Sequence, residues 1–412
     1  MDQQFGEFLQ QLEKDGLAGE TIVVFFADNG PGFPGGKSAS LNLGVHEPFM
    51  IRFPKRFQSL APAAPGTTLD RLIGFVDFAP TMLGLAGIAK PSHMNGSAFL
   101  GPNTEKPAQY AVGVRDRIDE TLDVSRWVRD ARYHYVRNYR THLPVDQNSL
   151  DCRYNGTAES VQEIQRLKAE GKLTAIQKLY WGETRPAEAL FDVTRDPYCL
   201  NNLANSPAHQ PQLEDMRRWL DRWMRETHDL GLVPEGQLLE RTKGRTPRDL
   251  ASQSGYPFER ILAAAELSGR GQSALAEQMK LLKDADETVR YWAVVGLHCQ
   301  GEGARAAIPA LQNALADSSA SVRIEAAWTL AELGQAESGV RSLARELDTE
   351  NEWAAVHAAR ALNLLGSRSS VALPAIRSGL EKWAKQYPAT SALNNALDKL
   401  QARTTSAQPN QP

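Results

Sequence analysis

Two short stretches bring together residue types that could do chemistry. Asp28-Asn29-Gly30 sets a carboxylate and an amide oxygen side by side, followed by a residue that permits a sharp exit. Such oxygen donors suit a hard cation, calcium or magnesium, and do not suit a thiophilic metal. Alone, D-N-G is also a common turn sequence. Lys37 ends the run Gly35-Gly36-Lys37, on a loop flexible enough to fold back over the same crevice. An ammonium there would neutralise a tetrahedral anion; a lone lysine is otherwise a solvated surface charge.

These residues need elements to hold them. Residues 22–26, IVVFF, form an uninterrupted β-branched and aromatic run, which predicts a strand buried on both faces of a largely parallel sheet. Before it, apolar residues at 5, 8, 9 and 12 mark one face of a helix ending near Gly16. In open α/β sheets the ligand crevice lies beyond the carboxyl ends of the strands, which is where Asp28 and Asn29 fall.

Further motifs follow in order. Gly44-Val45-His46-Glu47-Pro48 leads into FMIRFPKRF, GFVDFAPTMLGLAGI occupies 74–88, and LFDVTRDPYCLNNLA occupies 190–204. With the D-N-G strand end and the Gly-rich loop carrying Lys37, this succession resembles the sulfatases of the alkaline-phosphatase-like superfamily. Asp77, Pro80 and Thr81 carry the D-x-x-P-T match, and Asp192, Asp196, Pro197, Asn202 and Leu203 match a closing structural element. DNGPGFPGGK at 28–37, LPVDQNSL at 143–150 and MRETHDLGLVPEGQLLE at 224–240 are similar to the heparan N-sulfatase (sulfamidase) branch and its bacterial relatives.

The resemblance spans about residues 2–240 and implies roles. Asp28 and Asn29 match the second pair of calcium ligands, and Lys37 matches the basic residue that binds the sulfate group. His46 and Glu47 lie at the loop's return, where they could line the pocket; His46 also reads as an ordinary loop histidine. In Gly113-Val114-Arg115-Asp116-Arg117, Arg115 or Arg117 could hold a carboxylate or sulfate of a glycosaminoglycan-like sugar through a bidentate fork. Equally, they could form structural ion pairs with Asp116, Asp119 or Asp123.

The departures matter as much. A sulfatase needs a C/S-x-P-x-R motif, whose Cys or Ser becomes formylglycine, and no such motif occurs in these 412 residues. A strand ending in paired aspartates, the source of two more metal ligands, is also absent. The expectation is the C-terminal portion of a sulfatase domain without turnover by itself, its parent periplasmic or extracytoplasmic. Two alternatives stand beside it: a metal-dependent phosphodiesterase or phosphatase of the same superfamily, and a non-catalytic interaction protein.

The rear of the chain repeats. Val289-Arg290 recurs as Val322-Arg323, 33 positions on, while Gly301, Gly334 and Gly366 follow at intervals of 33 and 32. AIPAL at 307–311 is echoed by ALPAI at 372–376, and a fainter copy starts at 256. Ala293, Ala326 and Ala359 fall where helices approach closely, and Asp284, Asp317 and Asp348 are the expected N-caps. The pattern resembles HEAT repeats, three to four helix pairs whose default role is binding or bracing; a plain helical bundle is the other reading. The fold class is therefore α/β, an incomplete alkaline-phosphatase-like sulfatase domain, followed by an all-α solenoid. The expected division is a sulfatase portion at 1–240, a linker at 241–255, repeats at 256–400 and a disordered tail at 401–412.

Composition narrows the partners. With 42% hydrophobic and 23% charged residues and a formal net charge of -3, there is no basic excess to favour nucleic acid. No window reaches the roughly 18 apolar residues a membrane helix needs, and residues 1–16 lack a basic-then-apolar signal pattern. Cys152, Cys199 and Cys299 are widely spaced and odd in number, so they read as packing residues. The partners left are a sulfated sugar and a protein bound by the repeats.

Overall fold

The computed structural model describes residues 1–147, 150 and 158–406. The front of the chain runs α1 (Asp2–Lys14), β1 (Val23–Phe26), α2 (Asn42–Val45), β2 (Phe49–Arg52) and α3 (Phe78–Leu85). As the apolar spacing predicts, α1 closes just before Gly16, whose φ of 72° reverses the chain. Among the described residues β1 pairs only with β2, antiparallel, with Phe26 opposite Phe49.

The strand buried on both faces is thus not what forms. Val23, Val24 and Phe25 are half-buried and Phe26 is 43% exposed. A hydrophobic run states how much apolar surface a strand offers, and the neighbours present determine how much is covered. Here the cover is a chain of rings, Phe26 against Phe75 and Phe78, and Phe78 against Phe49 and Phe99. Asp77 secures the turn below them, accepting from the amides of Gly74 and Ser97.

The second sheet is antiparallel, in the order β3 (Ala111–Ile118), β4 (Thr121–Arg129), β5 (Tyr133–Asn138) and β6 (Glu188–Asp192). Between β5 and β6 lie α4 (Glu159–Ala169) and α5 (Ala175–Trp181). Strand alternation gives the sheet two different apolar faces. Val124, Val128, Tyr135 and Leu190 face one core with Met216, Ile261 and Trp292, whereas Val136, Ala189 and Phe191 face Ala39, Leu41 and Cys199. The sheet is the plate between the loop that follows β1 and the helices behind. Beyond β6, Asn202 Oδ1 accepts from the amides of Leu190 and Ala204, which explains the closing motif as a structural clasp.

The rear continues as α6 (Gln210–Thr227), α7 (Glu235–Arg241) and α8 (Pro247–Ala251), then four helix pairs and a final helix. The pairs are α9 (Phe258–Glu266) with α10 (Leu275–Leu281), α11 (Glu287–Cys299) with α12 (Ile308–Ala314), α13 (Ala320–Glu332) with α14 (Ala336–Glu346), and α15 (Glu352–Leu365) with α16 (Leu373–Lys382). The helix α17 (Tyr387–Ser406) closes the array, so residues 401–406, expected to be disordered, are helical, and 407–412 lie outside the described residues. The segment 241–255 is not bare linker: it holds α8, and Arg241 pairs with Asp286 and Glu287 at the head of α11.

The repeat signature has a physical basis. Ala293, Ala326 and Ala359 are fully buried between successive helices, and Gly301, Gly334 and Gly366 take positive φ of 52°, 89° and 56°, which glycine tolerates where each helix ends. Arg290 donates to the carbonyls of Asp284 and Ala285, and Arg323 repeats this with Asp317 and Ser318. Arg290 also reaches forward to Asp317, and Arg323 to Glu346, tying each unit to the next. Asp284, Asp317 and Asp348 are therefore not the caps expected of them. The N-caps are Asp286, Ser319 and Asn351, and the three aspartates lie two or three residues earlier, where they accept from neighbouring arginines and Lys382.

Candidate functional site

The loop after β1 is wound so tightly that only glycine fits at its crossings. A Cβ on Gly30 would lie 2.5 Å from Leu43 O, on Gly36 2.4 Å from Pro31 O, and on Gly44 2.2 Å from Ala39 O. These are backbone collisions that no rotamer relieves. Lys37 is set by its own amide, which donates to Pro31 O at 2.8 Å. At Gly35, φ is 81° and the amide donates 2.7 Å to Asp146 Oδ2. Asp146 is fully buried and also accepts from Trp181 Nε1 at 3.0 Å. It belongs to the 143–150 motif, whose Asn148 and Ser149 lie outside the described residues. Ser40 Oγ meets Ser125 Oγ at 2.9 Å, and Ser40 O meets His134 Nε2 at 2.9 Å, so the loop is sewn to the sheet. Burial holds the His134 ring neutral, its pKa lowered to about 4.

Asp28 and Asn29 follow β1, and Glu47 precedes β2, so the antiparallel pairing brings them to the same end of the ribbon. Asp28 is exposed and Asn29 half-buried. The Glu47 carboxyl has its pKa raised, by burial first and by the Asp28 charge second, and its Oε1 is buried without a hydrogen-bond partner. Two carboxylates and an amide oxygen, one of them an orphaned buried acceptor, fit a hard divalent cation by donor type.

Beside this end lies a cavity of about 530 Å³ lined by Asn29, Lys37, Arg115 and Arg117, with Asp116, Trp127 and Glu235. Four residues singled out in the sequence therefore converge, from positions 29 to 117. Asp28 and His46 do not line it. His46 is largely exposed, and partial burial followed by the Arg129 charge lowers its pKa.

The two arginines differ. Arg115 is buried, 3.2 Å from Asp123, and donates to Val145 O. Burial lowers its pKa, although the Asp123 charge opposes this. The Asp123 carboxyl would be raised by burial, but Arg185 and Arg115 hold it below its ordinary value. A β-bulge between Arg115 and Arg117 shifts the register, and Arg117 lands 2.6 Å from Glu235 with its guanidinium 4.3 Å over the Trp353 ring. Between them Asp116 shares Arg126 with Asp229, both at 2.6 Å. Burial is the main cause that pushes Asp116 up to about 6; Arg126 opposes it and Asp229 adds to it.

Sequence reasoning named Asp116 only as a possible ion-pair partner and missed Glu235 in the cavity wall and Trp353 behind Arg117. Glu235 and Trp353 lie more than 100 residues along the chain from Arg117, and no local signal marks such partners. Asp146 sat inside a quoted motif, yet its hold on Gly35 depends on a separation of 111 residues. Cys199 and Cys299 are free thiols; Cys199 is buried, which raises its pKa to about 12, and Cys152 lies outside the described residues.

Oxygen donors at a strand end beside a cationic cavity suit an enzyme that binds an anionic ester together with a divalent cation. Comparison with known proteins finds likenesses in both halves of the chain. Residues 1–88 match the family model described as Sulfatase, and residues 274–363 match that described as HEAT repeats. The chain is 40% identical over 245 residues to an ulvan-active sulfatase of Formosa agariphila, covering 58% of this chain and 39% of that protein. It is 28% identical over 257 residues to the N-sulphoglucosamine sulphohydrolase of Homo sapiens, covering 58% of this chain and 49% of that one. An endo-4-O-sulfatase of Bacteroides thetaiotaomicron is 25% identical over 239 residues, covering 56% and 40%. The front of the chain is thus similar to sulfatases and the rear to HEAT repeats, as the motifs implied. The chain spans under half the length of these curated relatives. Among the described residues no helix is long and apolar enough to cross a membrane.

Proposed function

We propose that this chain supplies one flank of a sulfatase site for sulfated sugars: Asp28 and Asn29, with Glu47, hold a calcium ion, and Lys37 binds the sulfate group. The observation that carries this reading is the single cavity where Asn29 and Lys37 meet Arg115 and Arg117. Calcium, when bound, withdraws charge from the sulfuryl oxygens. Lys37 adds a point charge at the cavity wall, and Arg117 offers its Nη2 group to a second anionic group of the sugar. Because the sequence holds no C/S-x-P-x-R motif, the formylglycine nucleophile has to come from polypeptide other than these 412 residues, and the chain binds without turning over. A polymeric sulfated substrate is met outside the cytoplasm, which favours a periplasmic or extracytoplasmic setting.

Calorimetry tests the reading. The purified chain is expected to bind calcium, and N-sulfoglucosamine in its presence, with no sulfate released; Asp28→Ala should weaken calcium binding at least tenfold. Sulfate release above that of Asp28→Ala would refute the inactive half-site, and absence of both calcium and sugar binding would refute the site.

A further inference from the structure

We propose that the helical array is a working part of this site, with Trp353 as the positioning residue that lets Arg117 distinguish sugars carrying a second anionic group. This rests on the functional reading above and extends it to the rear half of the chain.

Arg117 is gripped from two sides. Glu235 Oε2 takes its Nε at 2.6 Å, and the Trp353 ring lies beneath the guanidinium at 4.3 Å. Its Nη1 donates to Asp119 O, while Nη2 has no hydrogen-bond partner among the described residues. The group left over is on a side chain that lines the cavity.

Both grips are set by the repeats. Trp353 stands in the first turn of α15. Glu235 opens α7, and α7 lies across the heads of three successive repeat helices. Gln237 donates to Ser319 Oγ at 2.9 Å and accepts from Thr288 Oγ1 at 2.8 Å, and Asn351 Nδ2 donates to Gly236 O at 2.9 Å. Ser319 and Asn351 are the N-caps of α13 and α15, and Thr288 sits in the first turn of α11. A Cβ at Gly236 would meet Ser321 Oγ at 3.4 Å, an ordinary packing distance, so α7 lies in contact with the array there. The array therefore fixes the aromatic plate and the carboxylate, and these fix the plane of the arginine. A guanidinium already held flat loses little freedom when it pairs with a carboxylate or sulfate, and a cation over an aromatic face is held more strongly as solvent is excluded.

The ligand chemistry is a second anion on the sugar, a sulfate or a uronate carboxylate. The test measures the affinity of the full chain, in calcium, for N-sulfoglucosamine, for its 6-O-sulfated form, and for a disaccharide of N-sulfoglucosamine with a uronic acid. Wild type should prefer one of the two dianionic probes over the monoanionic one, and which it prefers identifies the group. Trp353→Ala should reduce that preference about tenfold while leaving monoanion affinity nearly unchanged, and Trp353→Phe should restore most of it. A role confined to packing would not move the ratio. Should Trp353→Ala fail to fold, Trp353→Leu keeps an apolar filler without the aromatic face and is expected to shift the ratio in the same direction. A ratio unchanged in the folded variants overturns the proposal and leaves the half-site standing. A wild-type chain that binds all three probes equally overturns it as well, and one that binds none overturns both.

Discussion

The first hundred residues and the rest of the chain solve different problems. In the front segment the buried apolar residues reduce to a few, Ala39, Leu41, Ala98, Phe99 and Leu100, and large side chains such as Phe26, Met50 and Phe75 remain about half exposed. From Tyr110 onward one continuous core runs from the four-stranded sheet into the repeats, with Trp292, Met216 and Ile261 fully enclosed. The residues proposed to meet calcium and sulfate, Asp28, Asn29 and Lys37, lie in the poorly buried part, and the groups that hold their loop lie in the well-buried part. The cavity joins the two parts, since Asn29 and Lys37 come from the first and Arg115 and Arg117 from the second, and the link is a small number of long-range contacts.

The junction offers the strongest way to break that link. Glu325 on α13 is fully buried and receives Arg140 Nη2 at 2.8 Å, His298 Nδ1 at 2.8 Å and His357 Nε2 at 3.0 Å. Burial alone would raise its pKa, but the Arg140 charge and the two histidine hydrogen bonds hold it well below the carboxylate range. Glu325→Ala leaves Arg140 buried without its counter-charge, and the expected loss is about 3–5 kcal/mol in urea unfolding. A loss below about 1 kcal/mol would show that the sheet and the array are not one cooperative unit.

A smaller effect separates loop from body. Asp146→Ala removes the acceptor for Gly35 N and Trp181 Nε1, and should cost about 1–3 kcal/mol. Its sharper consequence is local: the loop that carries Lys37 loses its tie at Gly35, and sulfated-sugar affinity should fall more than the stability change accounts for. Equal affinity in wild type and variant would mean that the loop keeps its shape without the clasp.

The smallest effect is a pH dependence. Asp116 lines the cavity, and its pKa, pushed up mainly by burial to about 6, puts its titration within reach. Below about pH 6 it takes up a proton and the cavity loses a negative charge, so anion affinity should be higher there and fall as pH rises through 6. With its side chain 35% exposed, solvent screens the effect, and a change of roughly twofold to fivefold is expected. Asp116→Asn should flatten the profile, and an unchanged slope in that variant would assign the titration to another group.

Much of this was legible in the residues alone. The repeat length, the buried alanines and the helix-ending glycines follow from local periodicity, because a solenoid unit packs only on its neighbours. The strand end at Asp28, the Gly-rich loop and Lys37 were legible for a similar reason: a buried-type run, a turn residue and a flexible loop are short-range signals. The expected caps were displaced by two or three residues, since an aspartate near a helix start can cap the helix or pair with an arginine of the next unit, and Arg290 decides for Asp317.

What the sequence determined by itself was the inventory: which residues offer oxygen donors, which carry a positive charge, and that a helical array follows. Which of them meet was decided by the tertiary structure. The half-buried state of β1, the antiparallel sheet, the clasp of Gly35 by Asp146 and the grip of Glu235 and Trp353 on Arg117 all depend on surfaces brought together across long stretches of chain. Their physical reason is the same: burial and ion pairing are properties of a pair of surfaces, and a single segment carries only half of each.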